Sequence, residues 1–394
     1  MNPEAVLLAA LLIGIGGTFY AYIGFPLVAT VIASTTRRRV MRADRDEPLP
    51  RVTVVIPAYN EERNLEARIR NVLDAYYPCH RLEVLVVSDA STDATNDIAR
   101  SFADEGVHLI VQPRRSGKSA GLNRAIARAR GDIVVFTDAN AAYSPGVIPT
   151  LVGYFSRHEV GLVTGYTRYV AAGSIDVAEA TNAYTSLERT IKTAESRWGC
   201  CVGADGAVFA MRRTLFRPLR NDDINDLVLP LGVIEQGCEC VFAEDAFCTE
   251  HPGTSVDSEF RRQARITNRT LRALWRHAHL LNPLRFGVFS FFLFSHKVVR
   301  FLVPGFLLVA AASLVALARM DTTYLVAAIA LSVAAILGII ASRIPAAEKA
   351  PSLPGRLLRF LGMFVTINAA VLEGWWNFLL GRRDIVWQHD RIKG

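Results

Sequence analysis

The chain has 394 residues, 51% hydrophobic and 21% charged, with a formal net charge of +7. That length holds one sizeable domain plus further segments, and the apolar excess gathers in the first 34 and roughly the last hundred residues, which excludes a simple soluble domain. The positive charge lacks the basic–aromatic interleaving of nucleic-acid readers, so no nucleic-acid partner is expected; several arginines instead flank apolar runs, where positive charge fixes membrane orientation.

Residues 6–34 form an apolar run long enough, at roughly 20 residues per crossing, to span a bilayer. No basic leader precedes it and no small-residue cleavage site follows, so a removable signal peptide is not expected. Arg37, Arg38, Arg39, Arg42 and Arg45 come next, and the positive-inside rule puts the following polypeptide in the cytoplasm. Residues 1–36 therefore read as an N-terminal transmembrane helix.

Pro48 and Pro50 close a polar linker, and 51–57 (RVTVVIP) is a β-branched strand running into Ala58-Tyr59-Asn60-Glu61-Glu62. A helical pattern covers 65–73. Residues 84–88 give a second strand, ending at Asp89-Ala90-Ser91-Thr92-Asp93, whose Ser and Asp residues suit a helix N-cap. Residues 107–111 are a third strand, 118–130 a helix, and 132–137 (DIVVFT) a buried fourth strand ending at Asp138. Strands alternating with helices imply a parallel, doubly wound sheet, and such sheets bind ligands beyond the carboxyl ends of their strands. Three polar clusters fall at those ends: Asn60-Glu61, Asp89-Ala90-Ser91 and Asp138-Ala139-Asn140. Six cysteines lack Cys-x-x-Cys spacing and zinc-ligand histidines, so free thiols in a reducing compartment are expected.

From 159 to about 279 short strands mix with helices. The aromatic stretch 286–294, followed by His296, Lys297 and Arg300, suits an interfacial helix over 283–300. Residues 301–318 and 324–341 are two spans joined by a tight turn; 357–380 is a third candidate, and its Arg359, Asn368, Glu373 and Asn377 require it to face protein or water. Transmembrane helices are thus expected over 301–380 and a cytosolic tail over 381–394. Three crossings after a cytoplasmic domain would leave the C-terminus outside, whereas Arg382, Arg383, Arg391 and Lys393 argue for inside. Either the last apolar segment is re-entrant or 286–294 enters the bilayer.

The run from Val55 to Glu62, the run from Val87 to Thr95, and Thr137-Asp138-Ala139-Asn140, taken in this order, resemble the family 2 glycosyltransferases over roughly residues 50–280. The resemblance implies a GT-A fold: an α/β, doubly wound mixed sheet, here with N- and C-terminal transmembrane helices. It also implies an inverting transfer from a nucleotide-diphosphate sugar to a lipid-linked or growing glycan at the cytoplasmic face of the inner membrane, by a multi-pass protein with potential partners in a polysaccharide pathway. Pro57, Ala58, Tyr59 and Glu61 would wrap the nucleoside. Asp89 would accept a hydrogen bond from a uracil-type imide, so a UDP-linked donor is expected, although Ser88 stands where the family often has a second acid. Lys118 would add a cation to a helix start that already favours anions.

Asp138 and Asn140 occupy the positions of the family's Asp-x-Asp. A diphosphate leaving group needs its charge neutralised, and hard oxygen ligands suit Mg²⁺ or Mn²⁺; Asn140 would ligate through its carbonyl without adding charge. Gly203, Asp205 and Gly206 resemble the acceptor-side segment. Glu188 and Glu195, seven apart on one helix face, either join that segment or are solvated. Asp226 best fits the general base that deprotonates the acceptor hydroxyl, with Asp223 its rival and Glu244-Asp245 a less fitting pair. Where processive synthases carry Gln-x-x-Arg-Trp, Arg262 replaces the Gln, Arg265 keeps the Arg and Ile266 replaces the Trp; the arginines would clamp the diphosphate. The alternatives are a processive exopolysaccharide synthase that secretes its polymer and a non-catalytic nucleotide-sugar-binding partner of another synthase.

Overall fold

The computed structural model describes residues 2–36, 49–170, 175–251, 256–343 and 353–383. The arginines at 37, 38, 39, 42 and 45, and Arg391 and Lys393 of the tail, lie outside the described residues.

Among the described residues, eight strands form one mixed sheet: β1 (Val52–Ala58), β2 (Leu82–Ser88), β3 (Val107–Val111), β4 (Ile133–Phe136), β5 (Ala142–Tyr143), β6 (Val160–Tyr169), β7 (Phe209–Arg212) and β8 (Glu239–Glu250). Their order is β3-β2-β1-β4-β7-β6-β8-β5. β1 to β4 pair in parallel, with Val52 opposite both Leu82 and Ile133. β1 is buried along its whole length. Val52, Val54 and Ile56 pack with Leu65, Ile69 and Val72 of the helix Leu65–Leu73, while Val55 packs on the other face with Leu122 and Ala125 of the helix Lys118–Ile126. Cover on both faces is why this strand reads as a continuous apolar run rather than an alternating one. The second helix ends at Ile126, short of the expected Arg130.

The chain winds outward from β1 to β3, then returns to place β4 on the other side of β1. That reversal opens a crevice at the carboxyl ends of β1 and β4. β7 inserts antiparallel between β4 and β6, where Phe136 and Phe209 stack with centroids 4.5 Å apart. β8 runs parallel to β6, and β5 closes the edge antiparallel to β8.

Among the described residues, four helices are long and apolar enough to cross a membrane. The first joins Pro3–Phe19 to Phe25–Ser34 through a π-turn at Tyr20–Gly24. The second joins Val288–Leu293 to Val299–Leu317 through a π-turn at Phe294–Val298. Of the segment expected to be interfacial, only the single turn Pro283–Phe286 stands apart, ended by Gly287 at φ +54°; the rest is the first half of a continuous apolar helix. The two π-turns meet, with Tyr20 Oη 2.9 Å from Ser295 Oγ. Farther along, a Cβ on Gly14 would lie 2.5 Å from the Phe306 carbonyl oxygen, so this close crossing requires glycine.

The third and fourth long helices are Thr322–Arg343 and Leu353–Leu379. In the fourth, Trp375 Nε1 donates to the Phe301 carbonyl at 2.8 Å. The Arg382 carbonyl just beyond it accepts from Asn268 Nδ2 (3.0 Å) and Arg272 Nη2 (2.7 Å) on the helix Val256–Arg276. The end of the last apolar helix is therefore returned to the sheet domain. A mixed core ties the domain to the apolar helices, with Phe25, Ala29, Phe289 and Phe292 packing against Ile191, Ala194, Leu227 and Leu231.

Candidate active site

Asn60 and Ala90, directly beyond β1 and β2, are the two non-glycine residues with positive φ (54° and 56°) among those described. Backbone strain of this kind concentrates where a site is built. The two turns brace one another: the Asn60 amide donates to Ser91 Oγ (3.1 Å) and the Thr92 amide to Asn60 Oδ1 (2.8 Å). Asp89 is nearly buried. Its Oδ1 accepts from Gln112 Nε2 (2.8 Å) and the Ser116 amide (2.7 Å), and its Oδ2 from the Gly117 amide (3.0 Å). Three donors on a carboxylate with about four acceptor positions leave capacity for one more. Gly117, at φ +86°, makes the turn that brings its amide to Asp89.

Pro57, Ala58, Asp89, Gln112, Gly117 and Lys118 line the resulting cleft. At its mouth the Arg115 guanidinium lies 3.6 Å from the Tyr59 ring centroid. Glu61 is buried, and Asn64 Nδ2 donates to its Oε2 at 2.9 Å while Thr95 Oγ1 accepts from its amide at 2.8 Å. This acid thus fixes the start of the following helix as well as lying at the strand end. A broader hollow lined by Arg51, His80, Arg81, Arg130 and Asp132 opens at the opposite ends of β1 and β4, away from the polar clusters.

Lys118 Nζ contacts Asp138 Oδ1 at 2.6 Å in the turn after β4, and Asn140 is exposed beside it. Arg68 is fully buried, with its guanidinium 3.9 Å from the Tyr143 centroid and Nη2 donating to Thr137 Oγ1 at 2.7 Å. Its charge faces Asp138 and Glu250. Glu250, the last residue of β8, has a buried Oε1 without a hydrogen-bond partner. Burial, and then the charges of Asp138 and Asp205, push its carboxyl up to about 8. A partly exposed carboxylate beside a second acid with an orphaned oxygen is a donor set that fits a hard divalent cation.

Around the start of the helix Asn225–Glu235 the two rival acids separate. Asp223 is bound on both oxygens, by Arg276 Nη2 and by the Arg220 amide (2.8 Å), and Asp222 also pairs with Arg276 at 3.3 Å. Asp226, in the first turn of the helix Asn225–Glu235, has a buried Oδ1 with no partner. Burial raises its pKa, against the pull of Lys118 and Lys297. Gly206 faces it, since a Cβ there would sit 3.3 Å from Asp226 Oδ2. Asp205 is a brace: its carboxylate accepts from the Thr167 amide and hydroxyl, each at 2.8 Å, and from the Ala207 amide at 3.2 Å. Neither Glu244 nor Asp245 is buried.

Comparison with known proteins bears on the domain and the fold. The model of glycosyl transferase family 2 matches residues 53–219. The chain carries a family 2 glycosyltransferase domain. It is 30% identical over 178 residues to the probable glycosyltransferase YdaM of Bacillus subtilis (strain 168), covering 43% of this chain and 42% of that protein. It is 34% identical over 122 residues to the dodecaprenyl-phosphate galacturonate synthase of Rhizobium johnstonii, covering 30% of this chain and 36% of that protein. The chain thus spans half or less of the length of the first curated relatives it matches. Among solved structures, the mannosyltransferase PcManGT from Pyrobaculum calidifontis, in complex with GDP-Man and Mn²⁺, superposes with a TM-score of 0.71 over 96% of this chain and 99% of its own, at 22% identity. That likeness shows the fold, a GT-A-type mixed sheet with long apolar helices at both ends.

Within the glycosyltransferase domain, Glu188 and Glu195 are not solvated. Glu195 is fully buried, accepting from the Val202 amide at 3.1 Å and lying 2.7 Å from His296 Nδ1. Glu188 lies 3.2 Å from His296 Nε2 and pairs with Arg300. Both acids therefore anchor the second apolar helix. Arg262 holds both oxygens of Glu259 at 3.2 Å and lies near enough to Glu250 to offset its burial; Arg265 is half-buried on the same helix. Sequence reasoning passed over Arg68 and Glu250, and read Lys297 only as a charge of an interfacial helix. Only Glu250 carried a readable signal, an acid at the end of a strand.

Proposed function

We propose that this domain transfers a sugar from a nucleotide-diphosphate donor, UDP-linked, to a lipid-linked acceptor at the cytoplasmic face of the inner membrane, with inversion. The observation that carries the reading is Asp226: a carboxylate with a buried, unpartnered oxygen across the crevice from Lys118 and Asp138, while its rival Asp223 is bound on both oxygens. The acceptor hydroxyl attacks the anomeric carbon as the bond to the diphosphate breaks, and its proton passes to Asp226. One displacement inverts the configuration.

Asp89, with one acceptor position remaining, supports recognition of a uracil imide, and Pro57, Ala58 and Tyr59 form the cleft wall for the nucleoside. Lys118 neutralises phosphate charge at the helix start. Asp138, with Asn140 beside it, would hold Mg²⁺ or Mn²⁺, which when bound supplies charge neutralisation to the leaving diphosphate. Arg262 and Arg265 complete the positive rim, and Gly203 and Gly206 leave room for the acceptor.

The test is an assay of the full chain in lipid nanodiscs with a panel of nucleotide-sugars, Mg²⁺ or Mn²⁺, and native lipid extract. Nucleotide release with a lipid-soluble product is expected, and Asp226→Asn should lower turnover about 10²- to 10⁴-fold while donor binding persists. No release with any donor would sink the transferase reading, and an Asp226→Asn protein of undiminished rate would remove the base.

A further inference from the structure

Lys297 lies in the π-turn Phe294–Val298 of the second apolar helix, beside His296 and three residues before Arg300. Those two neighbours are engaged by Glu195 and Glu188. Among the described residues, no carboxylate stands within ion-pair range of the Lys297 ammonium group. The side chain instead runs to Gly203, where an added Cβ would lie 3.6 Å from both its Cε and its Nζ, and 3.7 Å from the Asp226 carbonyl oxygen. Three residues on, Gly206 is bare in front of the Asp226 carboxylate. The loop is pinned to that helix start by the Ala204 amide, which donates to the Asp226 carbonyl at 2.7 Å. Two positions without side chains thus face two opposite charges, a carboxylate at one end and an ammonium at the other.

We propose that Lys297 binds the phosphate of a membrane-anchored acceptor whose attacking hydroxyl stands at Asp226. This rests on the transferase reading above. The half-buried ammonium feels the charges of Glu188 and Glu195 without bonding either, since those acids pair with Arg300 and His296, so its donors remain available to an anion in front of Gly203, and lysine suits phosphate as a point charge. The anion is lipid-borne because Lys297 sits on an apolar helix of 30 residues, with Phe294 one turn away and about half exposed. In transfer, the hydroxyl proton goes to Asp226 and the acceptor's phosphate is unchanged.

The experiment uses the full chain in phosphatidylcholine nanodiscs and measures the affinity of a polyisoprenyl phosphate, the polyisoprenol of equal length, and inorganic phosphate. Nucleoside-diphosphate binding is measured separately. The phosphorylated lipid should bind about 10- to 100-fold more tightly than the alcohol. Lys297→Met should abolish that preference and leave nucleotide affinity within about twofold, and Lys297→Arg should keep the preference. A preference that survives in Lys297→Met, or disappears in Lys297→Arg, overturns the assignment. So does inorganic phosphate competing as well as the lipid, which would mark a free-anion site. Failure of the wild-type chain to bind any nucleotide would strike the transferase reading instead, leaving the lipid result to be judged separately.

Discussion

On the donor side, Pro57, Asp89, Lys118 and Asp138 each end a strand or open a helix of the same parallel half-sheet. On the proposed acceptor side, Gly203, Asp226 and Lys297 come from a loop, a helix start and an apolar helix. The proposed donor half is built from strand ends together with the loop and helix start that follow β3. The apolar helices bring Lys297 to the proposed acceptor half by docking on the domain, through the Glu188, Glu195, His296 and Arg300 cluster and the mixed core around Phe25 and Phe292.

The largest effect that would sharpen this contrast is on the donor side. Asp138→Asn should weaken nucleotide-diphosphate binding in Mn²⁺ or Mg²⁺ by at least about 10- to 100-fold, the range already seen when only the partners of metal ligands are removed. The difference should vanish in EDTA, as titration calorimetry would reveal; equal loss with and without metal would assign Asp138 to structure.

Next in size, His296→Leu leaves the buried Glu195 without its ring partner and should cost about 1–3 kcal/mol of stability. Thermal unfolding would register it as a lowered midpoint. Transfer to lipid should fall further than nucleotide binding, because the docked helix carries the acceptor side. Equal losses in the two activities would break the proposed division between halves.

The smallest effect concerns Glu250 in the metal-free protein. Its carboxyl is raised from the ordinary 4.5 to about 8, first by burial and then by Asp138 and Asp205. The folded state therefore favours the protonated form, so the stability it contributes is full below about pH 4.5 and lost as pH rises through about 8. Glu250→Gln, always neutral, should show a shallower fall in unfolding temperature across that window. Parallel curves for the two proteins would mean that Glu250 ionises normally in the fold.

Much of the donor side was legible because chemistry and punctuation coincide. β-branched runs end in Asn60-Glu61, Asp89-Ala90 and Asp138-Ala139-Asn140, and a strand that needs only apolar residues for stability has no use for acids at its end. The helix Leu65–Leu73 and the strand Val107–Val111 also appear where the pattern put them. What misled was context. Asp205 has the residue type of a ligand-facing acid, yet three donors, two backbone amides and a hydroxyl, hold it. Glu188 and Glu195 at seven-residue spacing describe a helix face, and spacing does not say what covers it. Here a histidine and an arginine from a distant apolar helix do. The same blindness split 283–300 from the span that follows, since His296 and Lys297 look like interfacial charges until Glu195, Glu188 and Gly203 are placed beside them.

The sequence by itself determined the parallel half-sheet, the polar strand ends and the presence of long apolar helices, because backbone hydrogen bonding and burial impose short periods that a linear reading detects. Only the tertiary structure decided that Asp226 keeps an unpartnered oxygen while Asp223 is bound on both, that Glu250 lies near Asp138, that the last apolar helix ends against the domain, and that Lys297 faces Gly203. Those are outcomes of desolvation and charge pairing between residues far apart in the chain, and a carboxylate's role depends on which donors reach it first.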